Sequence, residues 1–165
     1  MYLLRENGAY RKVNVAIGFE KVLLADFNEV PGLMRKFIQY VNSASFMNSH
    51  PIKQACLIHY NFVQIHPFKD GNGRISRLLM NYVLLRGKYP ITIIENADKQ
   101  TYFRSIAEHK GKSHSTKPVQ SPFCNFLMNQ IILTFKDNLD SYISIKKRHT
   151  GTRYKFANTP ILGDA

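Results

Sequence analysis

Acidic residues are scarce in this chain. Eleven Asp and Glu stand against 23 Lys and Arg, for a net charge of +12 over 165 residues. Such an excess favours anionic partners, whether nucleic acid, phosphates or acidic surfaces. The basic residues are spread out, however, and cluster only at Arg35–Lys36 and Lys146–Arg148. A general basic surface accounts for most of the charge. Cysteine is nearly absent too: Cys56 and Cys124 both fall in segments that read as helix, and are expected as reduced core thiols. No run of 18 apolar residues occurs, which excludes a spanning helix. The start, MYLLRENGAYRK, lacks the charged-then-apolar order of a signal peptide, so a cytoplasmic location is expected. There is no internal repeat. With 44% apolar residues a disordered chain is excluded, and the length suits one domain with one core.

What is present is mostly helical patterning. VNVAIGFEKVLL, residues 13–24, reads as a hairpin turning at Gly18. Asn28 is the expected cap of a helix that has Pro31 in its first turn and Leu33, Met34, Phe37, Ile38 and Val41 at helical spacing. Ser49 should cap the next helix, with Pro51 at its start and Ile52, Ala55, Cys56, His59, Phe62 and Val63 on the buried face. It must end near Ile65, because Pro67 disfavours a helical His66. A helix from about Gly73 to Arg86 follows, closed by Gly87. Its apolar residues surround most of the circumference and leave only Arg74, Arg77 and Asn81 as a polar stripe, so it should be central and buried. Another helix is expected near 98–108, then a polar loop to about 121 and an apolar helix, SPFCNFLMNQIILTF. The tail, 146–165, reads as basic, turn-rich and peripheral.

The informative stretch is HPFKDGNGRISR, residues 66–77. It places two arginines in the first turns of a helix, where the backbone is already positive and acids are favoured. An anion should complete the arrangement. Asp70-Gly71-Asn72-Gly73 contains residue types that reach left-handed conformations cheaply, so successive N–H groups can form a nest. The nest opens into a helix N-terminus, itself an anion site. Arg74 and Arg77 lie about one turn apart on one face and add two positive charges. Together they call for a di- or triphosphate. Asp70 beside a phosphate is repulsive unless Mg²⁺ bridges them. His66 precedes the nest and can accept a proton from a hydroxyl. Phe68 should anchor the loop in the core. His50, His59 and His66 do not have the spacing of a zinc site.

This stretch resembles the signature of the Fic family, His-Pro-Phe-x-Asp/Glu-Gly-Asn-Gly-Arg-x-x-Arg, at every fixed position. The similarity runs from about Gly8 to about Phe135, through GAYR, SHPIKQA, RLLMN and SPFCNFL. It is nearest to the animal type, without that type's upstream repeats and membrane anchor. The resemblance implies the Fic fold, a mainly α bundle around a central buried helix with one β-hairpin flap, over residues 1–145. It implies transfer of AMP from ATP to a Ser, Thr or Tyr hydroxyl of a target protein, with Mg²⁺. His66 would be the general base and Asp70 the metal ligand. Gly71, Asn72, Gly73 and Arg74 would hold the phosphates, Arg77 the γ-phosphate, and Tyr102 or Phe103 would face adenine. Ile17, Gly18, Phe19, Glu20, Lys21 and Val22 would dock the target as an added strand. In this chain FEKVLLADF follows the glycine where the family has prolines. Asn81 reads as structural.

Many family members restrain the second arginine of the motif with a glutamate from a Ser/Thr-x-x-x-Glu-Gly/Asn helix. No such pattern is present: Glu6-Asn7 has Tyr2 four residues earlier, and Glu95-Asn96 has Ile91. The glutamate is then left to a partner or to sequence beyond this chain, or Arg77 is unrestrained. A homodimer is compatible with the resemblance. UMP, phosphate or phosphocholine transfer, or removal of AMP, would use the same site. A basic nucleic-acid-binding module is the non-enzymatic alternative, and no groove-binding motif is readable for it.

Overall fold

The computed structural model describes residues 8–18, 22–110 and 122–156. Phe19, Glu20 and Lys21 of the expected flap lie outside the described residues, as does most of the polar loop before residue 122. Two short strands, β1 (Ala16–Ile17) and β2 (Val22–Leu23), pair antiparallel with Ala16 opposite Leu23 and Ile17 opposite Val22. Among the described residues six α-helices follow, α1 (Val30–Val41), α2 (Ala44–Met47), α3 (Pro51–Ile65), α4 (Asn72–Arg86), α5 (Lys99–Lys110) and α6 (Pro122–Phe156), with a 3-10 turn at Asn96–Asp98.

The core is assembled on α3, which packs against α4, α1 and α6. Ala55, Cys56, Ile58, His59, Phe62 and Val63 of α3 are all buried. The apolar side chains on α1 make the same choice by periodicity: Val30, Met34 and Phe37 face inward, while Ile38 is exposed. Cys56 and Cys124 are buried and not joined in a disulfide, as expected.

Several local expectations change. The cap of α1 is Glu29 without a side-chain bond, because Asn28 is used in a turn on Asp26 instead. His50, not Ser49, caps α3 through its ring nitrogen on Ile52 N–H. The short α2 was not expected; Ser43 caps it. Gly87 closes α4 by allowing close approach, not by a left-handed turn. A Cβ there would lie 2.4 Å from Pro51, and the left-handed residue is Lys88.

Two larger expectations are corrected. The central helix α4 buries one side only: Met80, Val83 and Leu84 pack inward, whereas Leu78, Tyr82 and Leu85 are 70%, 60% and 54% exposed. One neighbour, α3, takes the inner face, so a nearly all-round apolar pattern does not become all-round burial. From Lys146 to Phe156 the expected turn-rich tail is helical, and residues 157–165 lie outside the described residues. Helix α6 continues to Phe156, past the boundary expected at 146. Among the described residues no helix is long and apolar enough to cross a membrane.

Candidate active site

The site grows from the junction of α3 and α4. His66 ends α3 with φ 48° and ψ 59°, a left-handed conformation that a residue with a Cβ adopts at a cost. Pro67 behind it forbids continuing the helix. Several contacts hold the unfavourable turn in place. Phe68 packs on Phe62 and Tyr10. Asn72 is almost fully buried, accepts from Phe68 N–H at 3.0 Å and donates to Phe68 C=O at 2.7 Å. The Asn72 side chain therefore braces the loop from within, and only its backbone N–H is left for a ligand.

Arg11 supplies the other brace, and sequence reasoning passed over it within GAYR. Its side chain is 4% exposed. Nε donates to His66 C=O at 2.8 Å and Nη1 to Val13 C=O at 2.7 Å; Nη2 donates to Ala25 C=O and, at 3.4 Å, to Ile65 C=O. Its own N–H donates to Pro67 C=O at 2.8 Å. One guanidinium thus ties both roots of the hairpin to the backbone of His66. Asn14 and Asp26 close the same roots through a 2.9 Å side-chain bond, with Phe27 N–H on Asn14. That bond from Asn14, with further bonds from Asn28, holds the Asp26 carboxyl below its ordinary range.

The His66 ring is set for proton acceptance. Nδ1 lies 3.3 Å from Val63 C=O, a contact that selects the tautomer with the proton on Nδ1 and leaves Nε2 free to accept. Burial lowers its pKa below the ordinary histidine value, so the ring is neutral at pH 7.

Of the residues expected to form the nest only Gly71 is left-handed, and Asn72 and Gly73 already belong to α4. Gly71 sits at φ 84° and caps α4 without a side-chain bond, so the first N–H groups of the helix lack that partner. No acid occupies the first turn. The two guanidiniums fold back over the glycines: a Cβ on Gly71 would lie 3.6 Å from Arg74 Nη2, and one on Gly73 3.5 Å from Arg77 Nη1. Arg74 meets Asp70 at 3.5 Å, with both side chains mostly in water, a pairing worth little. Arg77 is half-buried and makes no ion pair among the described residues. Asp70 also accepts from Gly71 N–H at 2.6 Å. No group of three or more His, Cys, Asp or Glu could hold a metal among the described residues. Asp70 therefore suits Mg²⁺ only as one carboxylate beside ligand phosphates.

Below the nest lies a buried layer. His59 is fully buried, and its Nε2 is 3.0 Å from the Tyr102 hydroxyl. Burial and the neighbouring Arg77 charge hold His59 down to a pKa of about 3. Tyr102 is 6% exposed and packs edge-on to Phe103, Phe123 and Phe126. This corrects the expectation that Tyr102 meets a base: its ring belongs to the core. Phe103 has a different role. Its ring lies under Gly18, where a Cβ would come within 3.0 Å, so it supports the hairpin turn. Asn81 is structural, exchanging 2.9 and 3.1 Å bonds with the Thr92 backbone.

Comparison with known proteins agrees with this architecture. The Fic/DOC family model matches residues 1–84. The chain belongs to the Fic/DOC family. It is 40% identical over 101 residues to the protein adenylyltransferase Fic of Drosophila grimshawi, covering 61% of this chain and 20% of that protein. The Aedes aegypti protein of the same name is 40% identical over 98 residues, 59% of this chain and 19% of that one. The chain thus spans about a fifth of the length of these curated relatives, which are animal proteins. Among solved structures, a Fic domain-containing signaling protein from Bacteroides thetaiotaomicron superposes with a TM-score of 0.67 at 30% identity, over 78% of this chain and 53% of that one. A Fic family protein from Desulfovibrio desulfuricans gives 0.68 at 26% identity, over 84% and 43%.

Proposed function

We propose that this chain carries a protein adenylyltransferase site that moves AMP from ATP to a Ser, Thr or Tyr hydroxyl of a target protein. One observation carries the reading. Two guanidiniums fold over a glycine-built, uncapped helix N-terminus, beside a neutral histidine that has a free ring nitrogen. The names of the curated relatives support the same activity.

The chemistry follows from the groups at hand. The N–H groups of Asn72 and Gly73 and the Arg74 side chain take the phosphates, the Gly71 N–H joins them by exchanging the Asp70 carboxylate for a phosphate oxygen, and Arg77 takes the terminal one. The target hydroxyl attacks the α-phosphorus. Its proton passes to Nε2 of His66, the bond to the β-phosphate oxygen breaks, and pyrophosphate leaves. Asp70 would hold Mg²⁺ together with phosphate oxygens, and the ion would supply charge neutralisation. The hairpin would receive the target as an added strand. Arg77 has no anionic partner of its own among the described residues, so a partner's glutamate could compete with nucleotide there.

The test is incubation of the purified chain with labelled ATP, Mg²⁺ and cell lysate. Wild type should label protein, and His66→Ala should lose about 10²–10⁴-fold of the rate while still binding ATP. Equal labelling by the two would refute the assigned base. Labelling from UTP in preference to ATP would refute the choice of nucleotide.

A further inference from the structure

A second concavity borders the site and has no part in the chemistry above. It encloses about 500 Å³ between α1 and α3, under the segment that leaves β2. That volume falls in the range of ligand pockets. Leu33, Phe37 and Ile65 give it an apolar lining, Ala25 forms its flap-side wall, and Lys36, Tyr40, Asn61 and Gln64 are its polar residues, Lys36 alone being charged.

The polar groups point to one kind of occupant. Lys36 stands exposed on α1, and among the described residues no acid lines the pocket. The pocket therefore complements an apolar group accompanied by negative charge.

Its place in the fold says that the group comes on a polypeptide. Ala25 lies two residues past the end of β2, so a strand added along β2 continues onto this wall. Ile65 directly precedes His66. The Arg11 guanidinium bonds to Ala25, Ile65 and His66 carbonyls together, so pocket and imidazole are held at a set separation. Resting on the transferase reading, we propose that this pocket selects the target segment: it takes a bulky apolar residue adjoined by a carboxylate, close in sequence to the modified hydroxyl. Extended chain spans about 3.3–3.6 Å per residue, so an offset of two to four residues reaches about 7–14 Å.

The experiment uses a series of acetylated, fluorescein-tagged peptides with one central Ser. Phe-Asp is placed two to four residues to either side, and a matched series carries Phe-Lys. Binding is read by anisotropy, and transfer by labelled ATP. Wild type should bind and modify one Phe-Asp register about tenfold better than its Phe-Lys match. Lys36→Glu, an exposed change that spares the core, should reverse that order and leave ATP affinity unchanged. No preferred register in wild type, or an Asp preference untouched by Lys36→Glu, would overturn the proposal. Lys36-dependent peptide binding without any transfer would keep the pocket and defeat the transferase reading instead.

Discussion

The two halves of the candidate site are held very differently. The loop from His66 to Asn72 is fastened from inside. A buried asparagine, a packed phenylalanine and a helix end each restrain it, and the backbone strain at His66 is sustained by those contacts. Among its described residues the hairpin is fastened at its roots, at its turn and by Ile17, which packs against the core. Its strands pair over two residues each, Arg11 and the Asn14–Asp26 clasp hold the ends, and Phe103 supports Gly18. The contrast assigns them different work. On the proposed reading, the imidazole that would take a proton stands on a packed loop, and the ribbon that would receive the target has only slight pairing of its own.

Substitutions can break that contrast. The largest effect is expected at Asn72→Ala, which leaves the Phe68 N–H and C=O without partners. At about 1–3 kcal/mol for each orphaned group, it should lose about 2–6 kcal/mol in urea unfolding. A loss under 1 kcal/mol would show that the loop does not depend on its buried brace. Arg11→Ala comes next, at about 2–3 kcal/mol, since charge-assisted bonds to several carbonyls disappear together. It should also lower the maximal transfer rate while ATP affinity changes less than about twofold, and Arg11→Lys should recover part of the rate. A pure rise in KM for ATP would place Arg11 in nucleotide binding instead.

The pH dependence sharpens the same comparison from below the nest. His59 is neutral in the fold with a pKa of about 3, against an ordinary value of 6.5. The unfolded chain then binds a proton that the folded chain refuses. Its contribution to stability is complete above about pH 6.5 and is lost as pH falls toward 3. The slope reaches about 1.4 kcal/mol per pH unit. His59→Gln should flatten the acid limb of a stability–pH curve, and an unchanged limb would contradict the burial argument. The smallest effect is expected in the hairpin. Gly18→Ala puts a Cβ at φ 74° and against the Phe103 ring. It should cost about 1–2 kcal/mol locally, reduce transfer to protein targets, and leave ATP binding alone.

Much of the packed half was readable from sequence. The run from His66 to Arg77 encodes its own geometry: proline sets the helix end, glycine the left-handed cap, and the arginines their face. Features that join distant segments were not readable. Arg11 reaches His66 across 55 residues, and the pocket beside it is formed by three separate segments. Tyr102 and Phe103 are adjacent aromatics with opposite roles, and only the rotation of α5 distinguishes them. The length of α6 escaped because its apolar periodicity leads to solvent rather than to core, with Leu139 and Tyr142 exposed. The exposed stripe of α4 shows the same limit: apolar spacing indicates which faces could be covered, not how many neighbours are present to cover them.

The central claim is that a nucleotide's phosphates complete the N-terminus of α4. Calorimetric titration of the folded chain with ATP and Mg²⁺ tests it most directly. One equivalent should bind to wild type and to His66→Ala with similar affinity, and Arg77→Ala should bind about tenfold or more weakly. Absence of binding to wild type, or equal affinity for Arg77→Ala, would contradict the account.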